Sequence, residues 1–317
     1  MKIQKMYMTV DVHVAGEAFR VIKDVPCKYY HSLEQLNEQI SGELAEEIQL
    51  LLNEPRGFIG LNGCVVVPSI HSEVDAAVLF FNHKGAIPLH YGGIVAVVTM
   101  LLESGHLKQS DSNQYKIETL CGVFLVRAHV EKDEVVSVSL ESKVCYSIEE
   151  NLPLHSPIGN IHYSLIQADQ VYAVFQKEEC SPEICIENIF ELKNWGKAIL
   201  ESMPKQPLIK RVVLVDSSHI KENRIKTITF QDDDYIVRSP GFASTSVSYI
   251  SSLSIGDVRT EEPFINESIF NSFVKVQKVN KEEKGYTFTF TSRGFITGMQ
   301  TFVLDPTDPF PVGFLLK

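Results

Sequence analysis

Apolar residues recur at helical spacing in two long segments of the chain. In residues 32–53 the spacing collects leucine and isoleucine side chains on one face, which predicts an amphipathic helix ended by Pro55 and Gly57. A similar pattern over residues 182–203 predicts a second one. Short apolar runs predict strands over residues 3–12, 18–24, 63–68, 75–82, 115–131, 135–142, 163–167, 171–175, 212–216, 227–230, 286–291 and 299–304. Residues 150–160, rich in proline and glycine, are predicted to be a linker.

Residues 92–104 are apolar on almost every side, which is typical of a buried helix. Residues 238–253 contain a second candidate for a buried apolar helix. A turn of small residues precedes each helix, from Pro88 to Gly93 and from Pro240 to Thr245. Glycines at a helix start need a physical reason, and close approach of the backbone to a ligand is one.

The order of strands, helix, strands and buried helix therefore occurs twice. This crude duplication predicts an α+β chain made of two similar halves. If the two halves face one another, the free N–H groups of both buried helices point into one cleft and favour a carboxylate.

The charge and cysteine content narrow the choice of partner. A formal net charge of −11 argues against binding to nucleic acid or an anionic membrane. No signal peptide or run of ~20 apolar residues is visible, so we expect a cytoplasmic protein with reduced thiols. None of the six cysteines forms a CxxC pair, and we interpret Cys180 and Cys185 as ordinary thiols rather than as a labile disulfide.

Several short motifs occur in an order that resembles the proline racemase family over almost the whole chain. They are Asp11–Ile22, Glu54–Gly57, Val78–Phe81, Leu101–Gly105, Val171–Val174, Arg238–Pro240 with Thr245–Ser246, Arg293–Gly298 and Asp305–Phe314. The resemblance implies an α+β fold like that of diaminopimelate epimerase: two similar halves, each a mixed sheet or barrel around a central buried helix, with a cleft between them. It places the first half at residues 1–150 plus 295–317 and the second at residues 151–294. It also implies a homodimer and cofactor-independent racemisation, epimerisation or dehydration of proline-like amino acids, in which two cysteines exchange the α-proton.

The sequence departs from the family at both catalytic motifs. Where the family has Met-Cys-Gly-His, this chain has Leu89-His-Tyr-Gly-Gly93, so His90 takes the cysteine position. Where the family has Asp-Arg-Ser-Pro-Cys, this chain has Val237-Arg-Ser-Pro-Gly241. Gly241 therefore replaces the second cysteine, and Val237 replaces the aspartate that pairs with the ammonium group. Dehydratase members keep one cysteine opposite a threonine, which this chain does not match either.

The resemblance also implies which residues line the site. The family holds the substrate carboxylate by N–H groups just after each catalytic position, here Tyr91 and Gly92 in one half and Phe242 and Ala243 in the other. Tyr91 and Phe242 replace glycines, so their bulk would narrow or close the cleft. Gly93, Val237 and Ser244 complete the predicted lining.

Three side-chain interpretations remain open in this site. His90 is either a single neutral base or a histidine without a catalytic task, and we favour the second. Ser244, with the two hydroxyl residues after it, either caps the helix, as such residues commonly do, or binds the carboxylate. Asp11, His13 and Glu17 are interpreted as architectural. His83 and His90 lack a third ligand, so we predict no metal.

We hold three hypotheses for the function. The first is a small-carboxylate-binding protein without two-base racemase activity. The second is a diverged isomerase or lyase that uses His90 as a single base on a carboxylate without an amine. The third is the proline or hydroxyproline racemase or epimerase activity of the family.

Overall fold

The chain divides into two compact units, each built from strands and helices. The computed structural model describes residues 5–23, 25–26, 29–179, 182–204, 209–233, 235–254, 258–259, 262–305 and 307–316. Unit 1 comprises Met1–Leu140 together with Ser292–Lys317, and unit 2 comprises Glu141–Thr291. Cys27 and Cys180 lie outside the described residues, and the interpretation of Cys180 and Cys185 as ordinary thiols falls there with them.

Unit 1 is a mixed sheet with three helices. Its strands are β1 (Lys5–Val14), β2 (Glu17–Ile22), β3 (Asn62–Val67), β4 (Ala76–Asn82), β5 (Gly85–Ile87), β6 (Gln114–Thr119), β7 (Gly122–Glu131), β8 (Glu134–Glu141) and β18 (Gly294–Leu304). Its helices are α1 (Leu33–Glu43), α2 (Ala45–Leu52) and α3 (Tyr91–Glu103). The strand order is β18-β1-β2-β3-β4-β6-β7-β8, with β5 beside β4. Only the pairs β2–β3 and β4–β6 are parallel.

Unit 2 has the same arrangement. Its strands are β9 (Tyr146–Ser156), β10 (Gly159–Gln167), β11 (Val171–Gln176), β12 (Arg211–Asp216), β13 (Arg224–Gln231), β14 (Ile236–Val237), β15 (Phe264–Glu267), β16 (Phe273–Lys281) and β17 (Tyr286–Ser292). Its helices are α4 (Ile189–Ser202) and α5 (Phe242–Leu253). The strand order is β9-β10-β11-β12-β13-β15-β16-β17, with β14 beside β13. Again only the third and fifth pairs are parallel.

The two units therefore repeat one topology strand by strand. In each, amphipathic helices connect the third and fourth strands of the sheet, and a buried helix follows the short strand. Helix α3 contacts β1, β2, β3 and β18, and α5 contacts β9 through β13. Every residue of α3 from Tyr91 to Leu101 is buried, which explains why this segment is apolar on all sides.

The amphipathic helices bury only one face. In unit 1, Leu36 and Ile40 of α1 and Leu51 of α2 pack in a cluster with strand residues such as Leu79. In unit 2, Leu192, Trp195 and Ile199 of α4 pack in a cluster with Phe175 and Phe230. Full burial of such side chains contributes about 1.5–3 kcal/mol each, so these faces hold the helices on the sheets.

Several sequence predictions were wrong in detail. The segment predicted as one helix over 32–53 is two helices, because Leu44 leaves the helical region at φ −121° and ψ 16°. The second amphipathic helix begins at Ile189, not at residue 182. The strand predicted over 115–131 is the hairpin β6–β7. The sequence did not predict β15 and β16.

The predicted linker at 150–160 is also wrong, because these residues form most of β9 and the turn into β10. Pro153 lies within β9, whose described partner in unit 2 is β10 alone. An edge strand tolerates proline because its outer N–H groups have no ladder partner. Gly159, with φ 127°, opens β10 after the turn.

Candidate functional site

His90 occupies the N-cap of helix α3. Its backbone is extended at φ −143° and ψ 104°, and its carbonyl oxygen accepts the Ile94 N–H at 3.0 Å. The ring nitrogen Nδ1 accepts a hydrogen bond from the Gly93 N–H at 3.3 Å. The imidazole thus satisfies one of the N–H groups that a helix leaves open at its start.

Glu17, at the start of β2, holds the other side of the same ring. Its Oε1 lies 3.1 Å from His90 Nε2, and both side chains are 12 % exposed. Asn62 Nδ2 donates to the same oxygen at 3.3 Å. A neutral imidazole carries one proton, so acceptance at Nδ1 places that proton on Nε2, where it is donated to Glu17.

The contact between Glu17 and His90 was missed from the sequence. We interpreted Glu17 as architectural, and it lies 73 residues from His90 along the chain. The direct packing of α3 on β1 and β2 brings the first hairpin beside the helix. The polar residue after Gly16 was the one available signal, and by itself it did not point to His90.

The residues after His90 are buried at the start of α3. Tyr91 packs edge-to-face on Phe124 with ring centroids 6.0 Å apart. A Cβ at Gly93 would lie 2.6 Å from Phe80 Cε1, so this glycine is required by packing rather than by ligand approach. Among the described residues, no acceptor bonds the Gly92 N–H. One backbone donor is therefore open at this helix start.

Helix α5 begins at Gly241, which has no side chain to move a proton. Gly241 adopts φ 71° and ψ 140°, a conformation that glycine accepts and L side chains rarely adopt. Its N–H donates to Ser239 Oγ at 2.8 Å. No side chain caps α5, and the N–H groups of Ala243 and Ser244 have no acceptor within the described part of the chain.

The capping interpretation for the hydroxyl residues of α5 is therefore wrong. Ser244 Oγ accepts from Thr229 Oγ1 at 2.9 Å. Thr245 Oγ1 donates to the Gly241 carbonyl oxygen at 2.6 Å and accepts from Asn266 Nδ2 at 3.0 Å. Ser246 Oγ donates to the Phe242 carbonyl oxygen at 3.2 Å. These hydroxyls join the helix to its own unit, and the backbone N–H groups at its start stay available.

The remaining predicted lining residues of unit 2 are apolar and buried. Val237 lies in β14 opposite Thr229, so it offers no charge to an ammonium group. Phe242 packs edge-to-face on Phe290 with centroids 5.0 Å apart. The structure thus gathers His90, Tyr91, Gly92 and Gly93 in unit 1, and Val237, Gly241, Phe242, Ala243 and Ser244 in unit 2.

Two thiols of the described residues, Cys64 and Cys145, are buried and are poor nucleophiles. Burial, together with the nearby Glu17 charge, raises the pKa of Cys64 well above its usual range. Burial raises the pKa of Cys145 to about 12. When the pKa of a thiol rises by one, the fraction present as thiolate at neutral pH falls about tenfold. Cys64 also lies under α3, since a Cβ at Gly93 would stand 3.4 Å from its Sγ.

Iodoacetamide at pH 7 should label Cys121 and Cys185, which are partly exposed, and leave Cys64 and Cys145 unlabelled until the protein is unfolded. The physical reason is that a raised pKa keeps the two buried groups as unreactive thiols until the pH is far above neutral. Peptide mass spectrometry measures the labelling. Rapid modification of Cys64 in the folded protein would show that its thiol opens to solvent and would contradict this assignment.

Within the described ranges, no group of three or more His, Cys, Asp or Glu side chains is arranged to hold a metal ion. None of the helices formed by the described residues is long and apolar enough to cross a membrane.

Comparison with known proteins places the chain in a family. The family model described as proline racemase matches residues 9–315. The chain belongs to the proline racemase family. It is 28 % identical to a trans-3-hydroxy-L-proline dehydratase of Bacillus cereus, with all of both chains covered.

Solved structures of the family share the fold. A probable proline racemase from Agrobacterium radiobacter with bound carbonate has a TM-score of 0.83 at 24 % identity, covering 98 % of this chain and 96 % of that one. A hydroxyproline epimerase from Agrobacterium vitis with bound trans-4-hydroxy-L-proline has a TM-score of 0.83 at 23 % identity, covering 100 % and 96 %. The predicted family and the epimerase-like α+β fold are confirmed.

Proposed function

We propose that this member of the proline racemase family binds a small carboxylate and does not catalyse two-base racemisation. The observation that carries the proposal is the chemistry of the two buried helix starts. Each keeps open backbone donors, at Gly92 in α3 and at Ala243 and Ser244 in α5, while neither cysteine position holds a thiol. Backbone donors do not depend on side-chain identity, so anion binding can outlast the loss of the proton carriers.

The ligands of the structural relatives support the choice of a carboxylate. One relative holds carbonate and another holds trans-4-hydroxy-L-proline. Both ligands have a planar group whose oxygens carry negative charge, a carbonate in one and a carboxylate in the other. N–H groups at a helix start bind such oxygens well. The buried Val237 offers no partner for an ammonium group, so we propose that the preferred ligand of this chain lacks an amine.

Calorimetry and thermal-shift assays should show binding of at least one carboxylate at millimolar concentration, corresponding to about −4 kcal/mol. The probes are L-proline, 4-hydroxyproline, trans-3-hydroxy-L-proline, pyrrole-2-carboxylate, pyruvate, 2-oxobutanoate and simple dicarboxylates. Gly92→Pro removes one donor to a charged group, so it should weaken binding at least about tenfold. Ala243→Pro makes the same change at the second residue of α5.

Glu34→Pro is the matched control for both variants. Glu34 is the second residue of α1, exposed and in unit 1, and Ser32 Oγ caps the following N–H group. A proline there imposes the same backbone restriction away from the proposed donors, so it should leave carboxylate binding unchanged. Absence of stabilisation by every probe in a folded protein would mean that the fold persists without the site.

Three expectations from the sequence remain part of this proposal. They are activity without a cofactor, assembly as a homodimer and a cytoplasmic location. Light scattering on the purified protein measures the second directly.

A further inference from the structure

The ring of His90 is held differently at its two nitrogens. At Nε2 it meets a carboxylate oxygen of Glu17 at 3.1 Å, and that oxygen also accepts from Asn62. At Nδ1 it meets only the Gly93 N–H, at the long distance of 3.3 Å. A short carboxylate contact fixes the ring orientation and the tautomer, while a long contact is easily exchanged for another.

We propose that Glu17 is a positioning residue that holds His90 as the single proton acceptor of the site, with Nδ1 as the accepting atom. The inference rests on the proposed function, because the acceptor acts on a carboxylate bound beside it at the start of α3. Gly92, the residue with the open donor, is close to this nitrogen. A Cβ on Gly92 would lie 3.5 Å from Nδ1.

Two opposing electrostatic effects act on the ring. The positive end of the α3 dipole repels a positive charge at the helix start. The Glu17 carboxylate attracts such a charge, and with both side chains only 12 % exposed the attraction is little screened by water. Glu17 therefore supplies the stabilisation that a transient imidazolium needs in this position.

The proton balance of the step limits its outcome. A C–H bond next to an activating group of the ligand breaks, its proton goes to Nδ1, and its electron pair is delocalised onto the ligand oxygen as an enolate. The Gly93 N–H is released from Nδ1 as the proton arrives. The proton, or a solvent proton that has replaced it, then returns from Nδ1 to the same carbon, because Gly241, at the family's second catalytic position, has no side chain that could deliver a proton instead. Exchange without inversion results.

The use of a single imidazole as the base also defines the substrate class. A C–H next to a carboxylate alone is too weak an acid for one imidazole, so the ligand needs a second activating group. A 2-oxo acid has such a group, since its ketone accepts the electron pair as an enolate. Pyruvate and 2-oxobutanoate are therefore suitable probes.

The first test determines the tautomer of the His90 ring by 15N NMR of histidine-labelled protein. The spectrum of His90→Gln assigns the signal. We expect the Nε2–H tautomer in the wild type and a tautomer mixture in Glu17→Gln, because an amide can accept or donate. Glu131→Gln is the matched control, since its Oε1 lies 3.0 Å from His129 Nε2 in an exposed pair of the same unit. It should leave the His90 signal unchanged. An Nδ1–H tautomer in the wild type, or one unaffected by Glu17→Gln, overturns the inference.

The second test follows deuterium entry at C3 of 2-oxobutanoate and pyruvate in D2O by 1H NMR. His90→Gln should lower the exchange rate about 10²-fold or more. Glu17→Gln should lower kcat with KM nearly unchanged, and Glu131→Gln should match the wild type. If a probe binds but exchanges at the same rate with His90→Gln, the inference fails while the proposed function stands. If calorimetry detects no binding of any carboxylate, the proposed function fails.

Discussion

L-Proline and 4-hydroxyproline should keep their α-protons when they are incubated with this protein in D2O. Two-base racemisation needs an acid and a base on opposite faces of the α-carbon, and here Gly241 supplies neither. The remaining candidate base, His90, is too weak to remove an α-proton that only a carboxylate activates, so exchange without inversion is not expected for these amino acids either. Cys64, the thiol nearest α3, is fully buried under it with a raised pKa. The α-proton signal in 1H NMR measures the exchange. Washout with a kcat of about 1 s⁻¹ or more would contradict the proposal.

Restoring the two family cysteines should not restore the reaction. Gly241 lies at φ 71° and ψ 140°, so Gly241→Cys places a side chain in a backbone region that costs on the order of 1–3 kcal/mol. His90→Cys at a negative φ carries no such strain and is the matched single variant. The double variant should therefore be less stable than His90→Cys and show no washout. Racemisation by the double variant would show that the helix starts still have the geometry of the family.

Arg20→Ala should lower the free energy of unfolding by about 3–5 kcal/mol. Arg20 is 3 % exposed and donates to both carboxylate oxygens of Asp11, at 2.8 and 2.7 Å. It also donates to the carbonyl oxygens of Leu51 and Arg56, at 2.5 and 2.6 Å. Its removal leaves the Asp11 charge and two carbonyl groups without this donor. Urea unfolding followed by circular dichroism measures the loss.

Arg224→Ala is the control for this prediction. Arg224 pairs with Glu267, but its side chain is 44 % exposed, so the pair should contribute less than about 1 kcal/mol. Similar losses for the two variants would contradict the assignment of Arg20 as a buried anchor. In that case the unfolded state, or repacking around Asp11, would have to compensate for the missing guanidinium.

The sequence was enough to predict the buried helices and the repeat, because both follow from apolar patterning. Helix α3 is buried from Tyr91 to Leu101, and a helix that is surrounded by strands must be apolar on all sides. The repeat was visible as element order and proved to extend to every strand pairing. Turn chemistry misled us at 150–160, where Pro153 lies in an edge strand rather than in a linker.

The site could be predicted only as far as single positions allow. His90 and Gly241 were found because they interrupt motifs. The partner of His90 could not be found in this way, since the packing of α3 on β1 and β2 brings Glu17 to it. The positive φ of Gly241 was also out of reach, because a glycine in sequence does not show whether its backbone uses that freedom. Long-range contacts and local backbone angles decided the chemistry here.

Strand β18 has a consequence for the order in which the chain folds during synthesis. It fills in unit 1 the place that β9 fills in unit 2, but it follows all of unit 2 in the chain. Unit 2 is a contiguous segment and can fold as soon as it leaves the ribosome. Until residues 294–304 emerge, β1 has an unpaired ten-residue edge, the kind of surface on which nascent chains associate. We therefore expect unit 1 to be the half that depends on chaperones in the cell.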